Sequence, residues 1–239
     1  MRLVLALAVI ALLTAGGAAY FFFGGPEEDP LRQRRAAFIA RVDALRPLAE
    51  AGDPKAQFEL AEQHYRNRQF GGELRAAAAW YERAAQQGHP DAQVSLGSLF
   101  EKGEGVKQSY HRAAEWYALA ARTTGNADAE FSLGNLYFNG RGVPNDQGEA
   151  IRWYAKAANR GHAVAQYLIG RMYEDGWGIR KDPIEAYKWY ALAARSRDRV
   201  LAENPKFDPL AARDQLAARM SQQQISEANH IVSAWQPVR

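Results

Sequence analysis

Five histidines are the residues of this chain best suited to metal binding or acid–base chemistry. His89 and His162 each follow a glycine at equivalent positions of a repeated segment, so we predict that they cap or pack a helix. His64, His111 and His230 occur singly. Zinc hydrolases place two histidines four residues apart on one helix, and no such spacing occurs here. The sequence therefore predicts no metal site.

Pairs of carboxylates, Glu174 with Asp175 and Asp128 with Glu130, are the alternative source of acid–base chemistry. Two acids converging in a groove would suit an envelope or cell-wall hydrolase. Polar helices carry such pairs on their solvated faces, and we favour that interpretation. The chain has no cysteine, no Gly-x-Ser-x-Gly motif and no phosphate-binding loop. We predict no enzymatic activity and no bound cofactor.

Three Gly-x-Gly turns differ in their middle residue, which is Glu104, then Arg141, then Trp177. A dinucleotide-binding glycine loop follows a strand, whereas these turns lie between helical patterns. Tryptophan is enriched in binding hot spots, so Trp177 is a candidate interface anchor; the alternative is that it folds back onto its own repeat. Phe138 stands where the neighbouring copies have a glutamate. The candidate partner-binding residues are therefore Trp177, Phe138, Arg141 and Glu104.

The motif Trp-Tyr-x-x-Ala-Ala occurs four times and organises the whole chain. It begins at Trp80, Trp116, Trp153 and Trp189, in steps of 36, 37 and 36 residues. A fixed period in this range is typical of stacked repeat proteins. The phase predicts each tryptophan on the buried face of a helix, where it joins one repeat to the next.

Each repeat is predicted to be two helices joined by the Gly-x-Gly turn. In the second copy, apolar residues recur at helical spacing over 91–102 and again over 110–122. Glycine inside a helix costs about 1 kcal/mol relative to alanine. Gly97, Gly134 and Gly170 therefore predict helix crossings too tight for a side chain, and the paired turn glycines predict positive φ angles.

These motifs resemble the Sel1-like repeat, a relative of the tetratricopeptide repeat. The family pattern joins an Ala-x-x-x-Leu-Gly helix, a Gly-x-Gly-Val turn and an Ala-x-x-Trp-Tyr-x-x-Ala-Ala helix, and 103–106 and 140–143 match the turn fully. The resemblance covers about residues 52–198, and it implies an all-α, right-handed α-solenoid with a concave face that binds other proteins. The four repeats are predicted at 52–87, 88–124, 125–160 and 161–198.

The segments on either side are predicted to cap the solenoid. Residues 31–51 form an N-terminal capping helix, in which Pro47 suggests a kink or restart. Residues 199–239 form C-terminal capping helices, one over 210–220 and another opened by a Ser221–Gln224 capping box. Residues 198–208, with Pro205 inside the segment and Pro209 directly after it, are predicted to be a loop.

Residues 3–23 are uncharged and about as long as a membrane-spanning helix. We favour an uncleaved single-pass anchor over residues 1–23, followed by a linker over 24–30. Cleavage after Ala19 is the alternative, and it would release an exported periplasmic effector. The start resembles a secretory signal, so we expect an inner-membrane protein with its repeat domain in the periplasm.

The charge pattern argues against nucleic acid as a partner. The chain carries 30 basic and 27 acidic residues, and they are interspersed, whereas nucleic-acid binders cluster their basic residues on one stripe. We therefore expect a non-catalytic scaffold or adaptor of a bacterial envelope complex, with protein partners on the concave face or the turn tips.

Overall fold

The computed structural model describes residues 29–70 and 73–238, and within these ranges the chain is all-α. The helices, in chain order, are α1 (Pro30–Glu50), α2 (Pro54–Arg66), α3 (Leu74–Gln86), α4 (Pro90–Lys102), α5 (Tyr110–Thr124), α6 (Ala127–Asn139), α7 (Gln147–Asn159), α8 (Ala163–Asp175), α9 (Pro183–Ala194), α10 (Arg197–Glu203), α11 (Pro209–Ala217) and α12 (Gln222–Ala234). A short 3-10 turn, Arg68–Phe70, follows α2.

Helices α2 to α9 form four successive hairpins, one for each copy of the motif. Within a hairpin the two helices pack along their length, and the second helix then packs on the first helix of the next hairpin. Each repeat thus contacts its sequence neighbours, which produces the predicted α-solenoid.

The helix glycines lie at the tight crossings that the sequence predicts. A Cβ on Gly134 would lie 2.6 Å from Cδ1 of Tyr154, inside the contact distance of two carbons. The same relation joins Gly97 to Tyr117 and Gly170 to Tyr190. The glycine therefore makes room for an aromatic ring from the second helix of its own repeat.

The buried residue of each Trp-Tyr pair is the tyrosine. Tyr81, Tyr117, Tyr154 and Tyr190 are all 3% exposed or less. Among the tryptophans, Trp189 is buried and the other three are half-buried. Three tryptophans are therefore less buried than predicted, although they still pack against the core, because one residue along a helix turns the side chain by roughly 100°.

The histidines before α4 and α8 are helix caps, as predicted. Nδ1 of His89 accepts a hydrogen bond from the N–H of Ala92 at 3.3 Å, and Nδ1 of His162 accepts one from Ala165 at 3.1 Å. The His162 ring also stacks on Phe131, with 4.3 Å between ring centroids. Each histidine therefore ties a helix start to the preceding repeat.

The turn glycines adopt the positive φ angles that were predicted. At Gly105 a side chain is excluded by lack of space as well as by backbone conformation, since a Cβ there would lie 2.2 Å from the Leu74 carbonyl oxygen. The turn of one repeat thus rests directly on the start of α3 in the repeat before it.

The capping segments differ from expectation in part. Helix α1 continues through Pro47 to Glu50 and does not restart there. Helix α10 covers the first half of the segment predicted to be a loop. Val200 explains α10, because it is fully buried and packs with the α8–α9 cluster, whereas Pro205 interrupts the backbone only after the helix has ended. The Ser221–Gln224 capping box is present as predicted.

None of the described helices is long and apolar enough to cross a membrane. The predicted span at 3–23 lies outside the described residues, as does most of the predicted linker.

Candidate protein-binding site

The three candidate turn residues each contact the preceding repeat. Glu104 accepts a hydrogen bond of 2.9 Å from the hydroxyl of Tyr65 in α2. The Arg141 guanidinium lies 5.5 Å from the ring centroid of Tyr110. Trp177 meets Phe138 in an edge-to-face contact, with 5.1 Å between centroids. The turn tips therefore form a row in which each repeat holds the one before it.

Trp177 and Phe138, two of the predicted binding residues, form one aromatic pair across a repeat boundary. Phe138 is half-buried at the end of α6, whereas Trp177 remains 38% exposed. The turn that presents Trp177 is fixed at Gly178, where a Cβ would lie 2.3 Å from Cδ1 of Ile151. The indole is therefore both supported from one side and accessible from the other.

The other two turn residues present polar groups in the turns of the second and third repeats. Arg141 is exposed and Glu104 is half-buried. Glu104 is already hydrogen-bonded to Tyr65. Burial raises the pKa of the Tyr65 phenol, and the hydrogen bond to Glu104 raises it further. Sequence reasoning missed Tyr65 as a member of this row, although it shares the repeat position of Phe138.

The carboxylates considered for acid–base chemistry are engaged in separate structural contacts. Glu174 accepts a hydrogen bond of 2.7 Å from the Tyr190 hydroxyl and also pairs with Arg219. Asp128 lies 3.4 Å from Nε2 of His162. The second acid of each considered pair has a partner of its own, Arg171 for Asp175 at 2.9 Å and Arg160 for Glu130 at 3.2 Å. The contacts described therefore do not join either pair into an acid–base site.

Glu130 is the one carboxylate buried inside a repeat boundary among the described residues. Its Oε1 accepts a hydrogen bond from Nε of Arg160 at 3.2 Å, while its Oε2 has no partner among the described residues. Burial raises the pKa of the Glu130 carboxyl, and the Arg160 guanidinium acts in the opposite direction. The pair holds α6 against the end of α7.

The described residues contain no cluster of three or more metal-ligating side chains. Burial lowers the pKa of the His162 imidazole, and Asp128 opposes that shift. His64 lies edge-on to Phe38, with 6.0 Å between centroids. His111 is an exposed residue facing Glu115 at 3.5 Å. These histidines pack, cap or pair within the scaffold.

A recess of about 200 Å³ lies between the fourth repeat and the C-terminal cap. Its walls include Tyr173, Lys181 and Met220, and the Glu174–Arg219 pair closes one side. Pockets for organic ligands usually measure about 300–1,000 Å³. The recess is therefore small for a metabolite, and the exposed surface features of this chain suit a macromolecular partner better.

The helical hairpins and their glycine crossings define an α-solenoid repeat protein. The model of the Sel1 repeat matches residues 54–89, 90–122, 127–162 and 163–198, which is more than half of the chain. The chain therefore belongs to the Sel1 repeat family, whose repeats generally serve as protein-interaction scaffolds.

One solved structure has the same fold, and two others are similar to this chain. The Sel1 repeat protein from Oxalobacter formigenes is 26% identical with a TM-score of 0.63, and the match covers 80% of this chain and 58% of that one. A protective antigen of uropathogenic Escherichia coli with an SLR fold is 24% identical with a TM-score of 0.47, over 85% of this chain and 48% of that one.

A putative Sel1 repeat protein from Klebsiella pneumoniae is 22% identical with a TM-score of 0.47, over 80% of this chain and 98% of that one. This chain thus spans about half the length of the first two relatives. A comparison with curated protein sequences found no match.

Proposed function

We propose that this chain is a non-catalytic adaptor of a bacterial envelope complex, which binds a protein partner through the Trp177–Phe138 pair. The exposed indole of Trp177 carries the proposal. Indole side chains contribute strongly to binding when a partner removes them from water. Trp177 is one of the few large apolar side chains that the described residues leave exposed, and it lies at a turn tip.

The proposed location is the inner membrane, with residues 3–23 as the anchor and the repeats in the periplasm. The apolar length of that segment and its resemblance to a secretory signal support this location. A periplasmic reporter fused to the C-terminus should be active. A mature N-terminus beginning at residue 20 would instead support the released effector.

Crosslinking in intact cells, followed by purification of the full chain from membranes, tests the adaptor function. We expect a specific partner with the native chain and at least about a tenfold loss of that partner with Trp177→Ala. Leu48→Ala is the matched control, because Leu48 is also an exposed apolar residue but lies on α1.

Equal loss in both variants, or retention of the partner by Trp177→Ala, would contradict a binding role for this pair. Circular dichroism should show that both variants keep their helical content. The absence of any specific partner in the native sample would overturn the adaptor function itself.

A further inference from the structure

A glycine precedes the first helix of every repeat, and we call these four positions the joints. They are Gly52, Gly88, Gly125 and Gly161. The four joints differ in which atoms lie near a Cβ added to the glycine. A Cβ on Gly161 would lie 3.8 Å from Cη2 of Trp235, and one on Gly125 would meet the Arg160 guanidinium at 2.2 Å. At Gly52 and Gly88 no described atom of another element lies within 4 Å of that position.

The occupant of the Gly161 joint is the C-terminal end of the same chain, which we call the tail (residues 232–238). The N–H of Val238 donates to the Asn159 carbonyl at 2.9 Å, and Arg195 donates to the Val232 carbonyl at 2.9 Å. Trp235 has an extended backbone. The tail is thus a helix end followed by an extended strip, clamped at two points.

Apolar contact fills the space between these two clamps. Val232 and Trp235 pack against a cluster of α7, α8 and α9 residues that includes Ala158 and Leu192. Pro237 lies over Gly161, with its Cβ 3.9 Å from the position of an added Cβ. The chain thereby shows which peptide chemistry fits a joint: an aliphatic residue, a tryptophan three residues later, and then a proline followed by an aliphatic residue.

The Gly88 joint repeats the groups that hold the tail. Gln86 supplies the backbone carbonyl in place of Asn159, Arg122 stands in place of Arg195, and Leu119 in place of Leu192. The backbones agree, because the N–H of Gly88 donates to Ala85 at 3.0 Å just as Gly161 donates to Ala158 at 3.0 Å.

The groups at the Gly88 joint are open to a ligand. Arg122 and Gln86 are exposed and Leu119 is half-buried, whereas Leu192 in the occupied joint is 2% exposed. Arg122 bonds only to the Ala118 carbonyl of its own helix among the described residues. An incoming carbonyl could therefore take the place that Val232 has on Arg195.

We infer that the Gly88 joint is a binding site for a partner protein's segment of the tail's chemistry, Val-x-x-Trp-x-Pro-aliphatic. The occupant is a partner because the chain's own tail is already bound at Gly161. The two joints also differ, since Glu82, paired with Arg112 at 3.3 Å, stands where the occupied joint has Ala155.

The test is direct binding of a fluorescent peptide with the sequence of residues 229–239 to the full chain, followed by polarisation. We expect saturable binding of one peptide per chain. Replacing the peptide's tryptophan with alanine should weaken binding by about tenfold or more. In the full chain, Arg122→Ala should weaken it by a similar factor, while Arg180→Ala, a change at another exposed arginine, should leave it unaltered.

Several outcomes would overturn the inference. One is no binding to the native chain. Another is binding that survives Arg122→Ala but changes with Arg195→Ala, since the peptide would then only displace the tail. Self-association of the full chain that Arg122→Ala abolishes would make the occupant a second copy. The inference rests on the proposed adaptor function, but a partner captured through Trp177 without peptide binding would refute the inference alone.

Discussion

At the scale of single residues, the glycine–tyrosine contact determines how the two helices of a repeat approach. Tyr117 fills the space that Gly97 leaves, and its hydroxyl donates to Glu101 at 2.9 Å. Burial raises the pKa of this phenol, so it stays protonated and remains a donor. The aromatic ring is therefore buried without leaving its polar end unsatisfied.

Substitution of the glycine tests this contact. We expect Gly134→Ala to destabilise the protein by about 1–3 kcal/mol, because overpacking against the Tyr154 ring outweighs the better helix propensity of alanine. Denaturant unfolding would measure the change.

The first repeat provides the control, since Ala61 occupies the glycine position there and is fully buried. Ala61→Gly should also destabilise, by about 1 kcal/mol, through helix propensity. A more stable Gly134→Ala protein would mean that the Tyr154 ring can move aside at no cost.

At the scale of helices, the boundary between repeats 2 and 3 differs from the others. Gln57, Gln93 and Gln166 each donate from their side chain to a carbonyl at the end of the preceding helix. Glu130 occupies the same position but cannot donate when ionised, and it accepts from Arg160 instead. The longer step of 37 residues falls in this region, and α5 is correspondingly extended to Thr124.

Glu130→Gln should reveal a pH dependence in this boundary. The pKa of Glu130 is raised in the folded protein from its ordinary value of 4.5. Its contribution to stability is therefore full below pH 4.5 and is lost as the pH rises through the folded pKa. The variant should match the native chain near pH 4 and exceed its stability by on the order of 1 kcal/mol near pH 7.

Melting temperatures of both proteins across this pH range would measure the effect. Gln93→Glu is the matched control, because repeat 2 has Thr123 where repeat 3 has Arg160, and the new acid should destabilise more strongly as the pH rises. If the melting temperatures of the native chain and of Glu130→Gln change with pH in parallel, burial does not destabilise the ionised Glu130 carboxylate.

At the scale of the whole molecule, the C-terminal helices end the solenoid by covering its last hairpin. Both α11 and α12 pack on α9, where Trp189 and Leu192 are buried. Arg197 pairs with Asp208 and lowers the pKa of that carboxyl to about 2. The cap thus provides the apolar cover that a further repeat would otherwise supply.

Removal of residues 199–239 should expose α9 and unfold the fourth repeat first. Exposure of the buried Trp189 and Leu192 side chains should lower the free energy of unfolding by about 3–6 kcal/mol. Because each repeat depends on its neighbours, hydrogen exchange should accelerate in α8 and α9 while α2 to α5 keep their protection.

A shorter deletion, of residues 235–239, is the control. It removes Trp235 from the Gly161 joint but leaves α11 and α12 in place. Uniform acceleration of exchange over the whole chain in the longer deletion would instead indicate that the repeats unfold as a single cooperative unit.

The repeat period, the Gly-x-Gly turns and the histidine caps could be predicted from sequence because each depends on local geometry. Spacing of apolar residues defines a helix, and a glycine at a helix end indicates positive φ. The same local logic placed Trp177 at a turn tip. It did not place Phe138 beside it, since these residues lie one repeat apart and meet only when the hairpins stack.

Tertiary structure alone decided which aromatic residue is buried, which segment beyond the repeats becomes helical, and where the tail lies. Trp116 and Tyr117 are adjacent, and the apolar pattern of the sequence does not distinguish between them. Only the approach of α4 at Gly97 places the tyrosine in the core. Val200 stabilises α10 through contact with a helix distant in sequence. The sequence by itself determined the repeating unit and its turns, whereas the stacking of one unit on the next determined the surfaces available for binding.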